Sequence, residues 1–266
     1  MCGHLWHSRQ KSHASMNENR SPFGDEFRYL IKERIKNFWG YGNLYSDIWF
    51  IGMEEGYNEN NEVLFERFKA TAYHAVFDIY EDLKVDPGHV YWFEKGAPTQ
   101  PTYRSLIYIH LYLKTGKEPT LEEIREYQIS EFGRKNSDHA VLELMPLPSK
   151  SIKESDWLYT DSGIEGLRSR KEYLAIYKPQ RVRELHALIQ KHKPKLVLFY
   201  SRGYLLDWQQ VAGVPFKEMI QKKLHTAQND STVYAVVPHA TSFGMSRNDW
   251  ENIAEVLAKY KLYREC

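Results

Sequence analysis

The sequence predicts an α/β fold: a three-layer α/β/α arrangement around a central four-stranded parallel sheet. Four short runs rich in β-branched and aromatic residues predict the strands, and segments with helical periodicity separate them. Such an order requires right-handed crossovers, which place helices on both faces of a parallel sheet. All four runs end in loops rich in Gly, Pro, Ser, Glu or His, so ligand-type residues gather at the carboxyl edge. The predicted strands are Asp47–Ile51, His139–Leu144, Lys195–Tyr200 and Thr232–Val237.

Helical patterns fill the segments before, between and after these strands. Apolar residues recur at helical spacing from Phe27 to Phe38. The Pro-rich loop 96–102 leads into another helix, and Thr120 is expected to cap the one after it, because a threonine hydroxyl accepts a hydrogen bond from the first turn. The remaining predicted helices cover 59–83, 103–114, 171–193, short pieces within 204–223, and 248–260.

Composition excludes several classes of protein. The only two cysteines, Cys2 and Cys266, allow neither a disulfide framework nor a cysteine-ligated metal or iron–sulfur site. No apolar run reaches the roughly 20 residues of a membrane span, and the N-terminus lacks the apolar core of a signal peptide. We expect a cytoplasmic protein without metal or other cofactor. Residues 1–22 are predicted to be a disordered leader, and 23–266 a single domain.

The two halves of the chain differ in charge. Residues 150–266 hold 19 Lys and Arg against 13 Asp and Glu, although the whole chain is nearly neutral at +1. A basic half is compatible with a polyanionic partner, but charge alone does not establish one. The oligomeric state is open, with a monomer favoured.

Two adjacent carboxylates follow the first predicted strand. The strand is expected to stop at Gly52, which places Glu54 and Glu55 in the loop after it. If both entered one pocket, their repulsion would raise one pKa. Such a carboxylate can activate water or stabilise an oxocarbenium-like centre. The alternative is that one of them faces solvent and only the other is functional.

Two further candidates lie on later strands. His239 follows the fourth strand, where its ring can donate a hydrogen bond to an anion that develops on a leaving group. Glu143 is the penultimate residue of the otherwise apolar second strand. Burying an unpaired carboxylate is costly, so Glu143 should meet either a ligand's donor groups or an internal Arg or Lys.

Hydroxyl and cationic side chains occupy the loops at this edge. Hydroxyls and backbone amides on stiff turns suit phosphate oxygens, and four such loops at one edge predict a nucleic-acid surface. The candidates are Thr99, Thr102, Ser149, Lys150, Ser151, Ser201, Arg202, Thr241, Ser242, Ser246 and Arg247.

Two short motifs resemble those of the uracil-DNA glycosylase superfamily. Gly52-Met-Glu-Glu-Gly56 is similar to the family's first motif, Gly-x-(Asp/Asn/Ala)-Pro-(Gly/Tyr) after a strand. Pro238-His-Ala-Thr-Ser242 is similar to its second motif, His-Pro-Ser. Their order and separation fit the family's four-stranded parallel sheet, and the similarity covers roughly residues 40–260.

The resemblance implies base flipping and cleavage of an N-glycosidic bond in DNA. Glu54 stands where the family's water-activating or cation-stabilising residue lies, with Glu55 in place of its proline, and His239 would stabilise the departing base. Phe243 or Met245 would be the wedge that fills the vacated stack. The residues implied to contact the base are Gly52, Met53, Gly56, Tyr57 and Glu143.

The sequence also departs from the family's motifs. Ala240 and Thr241 replace the proline and serine of the second motif, and Glu143 stands where the family commonly reads uracil with an asparagine. An ionised glutamate only accepts hydrogen bonds, which suits the exocyclic amine of cytosine. We therefore expect a cytosine-type base, modified rather than plain, as the substrate.

Three functions stay open at this point. The first is a DNA glycosylase, in repair or in defence against modified DNA. It is expected to be monofunctional, because no lysine at the strand ends offers the Schiff-base nucleophile that lyase chemistry needs. The second is a DNA-binding module that kept the fold and lost cleavage. The third is an enzyme of free nucleotides or nucleosides, which would not need the wedge.

Overall fold

The computed structural model describes residues 23–57 and 61–262. The predicted leader 1–22 and both cysteines lie outside these residues. Eight strands of the described chain form one sheet, in the order β3-β1-β4-β2-β5-β8-β7-β6. They are β1 Gly40–Gly42, β2 Ile48–Gly56, β3 Val76–Phe77, β4 His139–Ser149, β5 Leu196–Phe199, β6 Lys217–Ile220, β7 Leu224–Gln228 and β8 Val233–Val236.

The four predicted strands are the centre of this sheet. They correspond to β2, β4, β5 and β8, which are neighbours and run parallel to one another. The expected count of four strands is wrong, however, because both edges carry additional strands. On one side β1 pairs antiparallel with β4 and parallel with β3, and on the other β7 and β6 form an antiparallel extension of β8.

The strands β2 and β4 are longer than predicted. β2 continues through Glu54 to Gly56 and β4 through two prolines to Ser149, so the expected ends at Gly52 and Leu144 are wrong. Beyond the end of β1, side chains replace the missing neighbour of β4. Three carbonyls accept hydrogen bonds there: Leu144 from Arg181 at 2.8 Å, Pro146 from Arg34 at 3.0 Å and Pro148 from Tyr159 at 3.0 Å.

Helices cover both faces of the sheet. Alternate residues of β2 face opposite sides: Trp49 and Ile51 pack with α1, α2, α7 and α8, whereas Ile48 and Phe50 pack with α5, α6 and α9. The helices are α1 Asp25–Asn37, α2 Asn61–Thr71, α3 Ile79–Leu83, α4 Pro87–Val90, α5 Pro101–Thr115, α6 Leu121–Ser130, α7 Arg170–His192, α8 Leu205–Ala212 and α9 Arg247–Ala258.

Two predicted helical segments are wrong in extent. The long helix over 59–83 ends at Thr71, and β3 and α3 follow it. The segment 204–223 is helical to Ala212 and then enters β6, which is a mostly exposed edge strand without an apolar run. No helix among the described residues is both long enough and apolar enough to span a membrane.

The predicted cap of α6 is confirmed. The Thr120 hydroxyl accepts from the Glu123 amide at 3.2 Å, and the Glu123 carboxylate accepts from the Thr120 amide at 2.7 Å. These reciprocal bonds satisfy two amides that would otherwise lack partners at the start of the helix.

Replacing Thr120 by alanine removes this cap, and we expect a loss of about 1 kcal/mol in the free energy of unfolding. Urea denaturation measures it. Ser130→Ala is the matched control, because the Ser130 hydroxyl lies at the other end of α6 and only adds a bond to the Glu126 carbonyl. Equal stabilities of the two variants would contradict the assigned role of the cap.

Candidate functional site

The candidate site lies where β2, β4, β5 and β8 end. Gly52 pairs in register with Glu143, and Tyr200 follows β5 directly. A Cβ atom at Gly52 would overlap Glu143 Oε2 and lie 2.5 Å from the Tyr200 hydroxyl. Only glycine therefore allows these two side chains to meet over β2. Packing alone explains the glycine at position 52, independently of any motif.

Glu143 is a carboxyl group without a cationic partner among residues 23–57 and 61–262. The Tyr200 hydroxyl donates to its Oε1 at 2.6 Å, and Oε2 is enclosed without a hydrogen-bond partner in the described part of the chain. The alternative of an internal salt bridge is thus not seen among the described residues. Burial, followed by the charges of Glu55 and Glu54, raises the pKa of Glu143 to about 8, against the opposing Tyr200 bond.

This pKa corrects one premise of the sequence argument. With a pKa near 8, the Glu143 carboxyl is mostly neutral at pH 7. A neutral carboxyl donates through its O–H and accepts through its C=O. The sequence-based expectation assumed an ionised Glu143, whereas burial favours the neutral acid, which can also donate.

Glu54 is held by an arginine on another element. Arg170, the first residue of α7, donates to Glu54 Oε1 from Nη2 at 2.6 Å and from Nε at 3.0 Å. The second oxygen, Oε2, is buried and has no partner in the described ranges. Burial raises the pKa of Glu54, and the bond and charge of Arg170 oppose this shift. Glu54 thus keeps one oxygen for a ligand.

Glu55 belongs to a separate ionic network. Its Oε1 lies 2.7 Å from Arg67 Nη2 and its Oε2 lies 3.6 Å from Arg34 Nη2. Arg67 also binds the buried Asp82 at 2.6 Å, and Tyr41 donates to the same Asp82 oxygen. Glu54 and Glu55 are therefore matched to different arginines, so the structure does not place them as a repelling pair in a shared pocket.

The geometry around His239 defines its tautomer. The Thr241 amide approaches His239 Nδ1 at 3.3 Å and the Thr241 hydroxyl lies at 2.9 Å. An amide can only donate, so Nδ1 accepts and the neutral ring carries its proton on Nε2. Burial lowers the pKa of His239, which favours this neutral form. The Tyr200 ring lies 6.2 Å away, so His239 borders the Glu143 cluster as a neutral donor.

A cationic cleft lies next to His239. It has a volume of about 350 Å³, and its walls are the loops after β5 and β8 and the turn between β6 and β7. That turn contributes Lys222 and Lys223, which the sequence analysis did not select because β6 and β7 were not predicted. Lys223 is also paired with Asp249 at 2.5 Å. Ser201, Arg202, Ser242 and Phe243 line the same cleft.

The other predicted DNA contacts differ in availability. Phe243 is fully exposed, whereas Met245 is half-buried against the core. Three hydroxyls already have partners: Ser149 donates to the Ser151 carbonyl, Ser151 to Asp156, and Ser246 caps α9. Thr241, Ser242, Arg202 and Lys150 are exposed, Arg247 is paired with Glu118 and Glu251, and Thr99 and Thr102 are half-buried.

The residues predicted to contact the base also differ in their exposure. Gly56 is exposed and Gly52 borders Glu143, but Met53 and Tyr57 are buried in the core on the face of α1 and α2. The Tyr57 ring stacks on His89 at 6.3 Å. His89 Nδ1 lies 2.8 Å from the buried Asp86 carboxylate. The sequence analysis missed this Asp–His pair, which no apolar pattern or motif marks.

A cluster of two histidines and an aspartate lies at the amino end of β4, away from the candidate site. One ligand atom each from His110, Asp138 and His139 falls within 4.8 Å of the others, as in a metal site. The Gly133 amide donates to His139 Nε2 at 2.9 Å, so the Nδ1 that faces Asp138 carries the proton. Lys114 already neutralises Asp138 at 2.6 Å. This arrangement favours a hydrogen-bonded network over metal ligation.

Comparison of the chain with protein-family models and with curated proteins finds no match. The motif resemblance and the geometry of the strand ends therefore carry the functional argument together.

Glu143 is expected to make stability depend on pH. Its pKa of about 8 in the folded protein exceeds the ordinary 4.5, so the folded state binds the proton more tightly. Its contribution is complete below pH 4.5 and is lost as the pH rises to 8, by at most about 1.4 kcal/mol per pH unit. Glu143→Gln keeps the acceptor for Tyr200, does not titrate, and should flatten this dependence.

Denaturation at pH 5, 6.5 and 8 measures the effect. Glu255→Gln is the control, because Glu255 is exposed on α9. Parallel pH profiles of wild type and Glu143→Gln would contradict the assignment.

Proposed function

We propose that this protein is a monofunctional DNA glycosylase that flips a pyrimidine, preferentially a modified cytosine-type base, and hydrolyses its N-glycosidic bond. The observation that carries the proposal is the Glu143 carboxyl, which meets Tyr200 over Gly52 and has no cationic partner in the part of the chain that the structure describes. An enclosed group with donor and acceptor capacity costs stability unless a ligand uses it. The carboxyl lies over Gly52, which belongs to the first of the two segments that resemble the glycosylase motifs.

The proposed base contacts follow from the chemistry of the carboxyl. Neutral Glu143 can donate to N3 of cytosine and accept from its N4 amine, or accept from N3–H of uracil and donate to O4. Ionised Glu143 can still accept from the cytosine amine, but it cannot satisfy O4 of uracil. Cytosine-type bases are thus compatible with both protonation states, and uracil with one.

The proposed reaction uses two further groups. Water attacks C1′ as the bond to the base breaks, and the electron pair of that bond leaves with the base. His239 Nε2–H donates a hydrogen bond to the departing anion. Glu54 Oε2 accepts the proton of the attacking water and stabilises the cationic sugar, while Arg170 holds the other oxygen at 2.6 Å.

The surface around the site supports a DNA substrate. Arg202 and Lys222 offer cations to backbone phosphates at the cleft beside His239, where Lys223 is already paired with Asp249. Phe243 is the favoured wedge, because it is fully exposed at the tip of the loop after β8. We further propose that β4-β2-β5-β8 corresponds to the four-stranded sheet of the uracil-DNA glycosylase superfamily.

One observation favours a second function. Both motif glutamates are bound by arginines, Glu54 by Arg170 and Glu55 by Arg67. An enzyme that needs an unrestrained carboxylate would be weakened by these contacts, whereas a DNA-binding module without cleavage would not. This module would bind DNA in a salt-sensitive manner and release no base.

Base release tests the proposal directly. Oligonucleotides that carry uracil, cytosine, 5-hydroxymethylcytosine or a bulkier cytosine derivative are incubated with the protein, and abasic sites are then cleaved with alkali. We expect strand cleavage at a modified cytosine, and a loss of at least about 100-fold in His239→Ala. His192→Ala is the control, because His192 lies at the end of α7. DNA binding without cleavage at any base would leave the binding module instead.

The pH dependence separates the two kinds of base. If uracil is released at all, its rate should fall as pH rises through about 8, because neutral Glu143 is then lost. Release of the cytosine-type base should fall less. Glu143→Gln keeps a donor and an acceptor at every pH and should remove the difference. Base preferences unaltered in Glu143→Asn would refute the role of Glu143.

Phe243→Ala distinguishes DNA from free nucleosides as the substrate. Loss of the fully exposed ring should lower release from duplex DNA about tenfold or more, because an inserted side chain offsets an unstacking cost of a few kcal/mol. The same variant should release bases from nucleosides as the wild type does. Leu206→Ala is the control, an exposed apolar side chain on α8. An unchanged rate on duplex DNA would exclude the wedge.

A further inference from the structure

A second cavity lies on the other side of the loop after β8. Its volume is about 310 Å³, at the lower end of small-ligand sites. It opens between the start of α5, the start of α6 and α9, and Met245 lines both this cavity and the cleft beside His239. One loop, residues 237–246, thus separates two recesses.

The walls of this cavity are aromatic and aliphatic. Trp250 and Tyr108 lie on its lining with Met245 and Ile124. Trp250 is 7% exposed and Tyr108 is 6% exposed, so both rings are fixed by the core behind them. Rigid aromatic walls suit a flat heterocycle, because base–aromatic stacking gives about 1–3 kcal/mol per base.

Tyr108 supplies a buried polar group without a partner. Its hydroxyl is enclosed and forms no hydrogen bond within the described ranges. Burial raises the pKa of Tyr108 to about 12, so the hydroxyl stays protonated and remains a donor. An unused buried donor costs free energy unless a ligand accepts from it.

Cations stand at the rim. Arg104 is exposed on the first turn of α5, and its side chain has no salt bridge within the described part of the chain. Arg247 lies on the opposite rim, but Glu118 and Glu251 already neutralise it. Arg104 is therefore the cation left for an anionic group at the mouth, and Ser105 lies beside it on the lining.

We propose that this cavity binds one unstacked nucleotide of the DNA strand next to the excised one, with its base against Trp250 and Tyr108 and its phosphate at Arg104. The inference rests on the proposed function, because it assumes DNA at the neighbouring cleft. Aromatic walls, a buried donor and a rim arginine are together the chemistry that recognises a single-stranded nucleotide. Both recesses border the loop that carries His239, so adjacent nucleotides of one strand are the natural occupants.

A scan of base-free positions tests the proposal. A propanediol unit replaces the nucleotide at each of the three positions on either side of the target base, and affinities are measured for wild type, Tyr108→Phe and Arg104→Ala. One position should lower wild-type affinity about 5- to 160-fold, the equivalent of one stacked base. The same replacement should change affinity less in Tyr108→Phe, because its hydroxyl contact to that base is already missing.

Arg104→Ala should weaken binding at every position and lower the salt dependence by about one phosphate contact. Arg183→Ala is the matched control, because Arg183 is exposed on α7, on the opposite face of the sheet. It should retain wild-type affinity and the wild-type response to each replacement.

The outcomes separate the two proposals. Base release by the wild type with no position coupled to Tyr108 would overturn the second pocket and leave the glycosylase intact. Absence of any DNA binding by the wild type would overturn both. Equal effects of Arg104→Ala and Arg183→Ala would contradict the proposed contact between Arg104 and a phosphate.

Discussion

Buried arginines hold the two longest strands in place. β4 runs past the end of β1, and its carbonyls would lack donors on that side without Arg34 and Arg181. Arg34 also approaches Glu55, and Arg181 stacks on Trp39 at 3.2 Å. The carboxyl edge can therefore project beyond the rest of the sheet without exposing unsatisfied backbone. Glu54 and Glu55 lie on the part of β2 that projects together with β4.

The three carboxyl groups at this edge have different partners. Glu55 is neutralised within a network of Arg67, Arg34 and Asp82, and Glu54 shares one oxygen with Arg170. Glu143, among the described residues, receives a hydrogen bond from the Tyr200 hydroxyl and no cation. Burial with a cation keeps a carboxylate ionised, whereas burial without one favours the neutral acid. The carboxyl edge thus offers an anion, Glu54, and an uncharged donor, Glu143, on neighbouring strands.

The sequence predicts the centre of the fold better than its edges. The four parallel strands were found because each is a run of large apolar residues, buried on both faces. β1 is only Gly-Tyr-Gly, and β6 is exposed along most of its length. Neither has a pattern that a strand requires when it is read alone. Their pairing partners, not their composition, make them strands.

The site shows the same division. Glu54, Glu55, Glu143 and His239 were selected from their positions after or within apolar runs, and the structure brings Glu143 close to Gly52 and Tyr200. The partners could not be predicted, because Arg170 lies 116 residues from Glu54 and Tyr200 lies 57 residues from Glu143. Protonation depends on those partners, so the ionised state assumed for Glu143 was an inference that required tertiary structure.

The loop between β8 and α9 is a wall common to two recesses. A wall that two ligands share links their occupancies thermodynamically, since ordering it for the first ligand removes part of the entropy cost for the second. The linkage is reciprocal. Met245 borders both spaces, so a shift of its side chain would change the shape of both. The loop would then respond to the DNA strand bound in the second cavity, and it would also support His239.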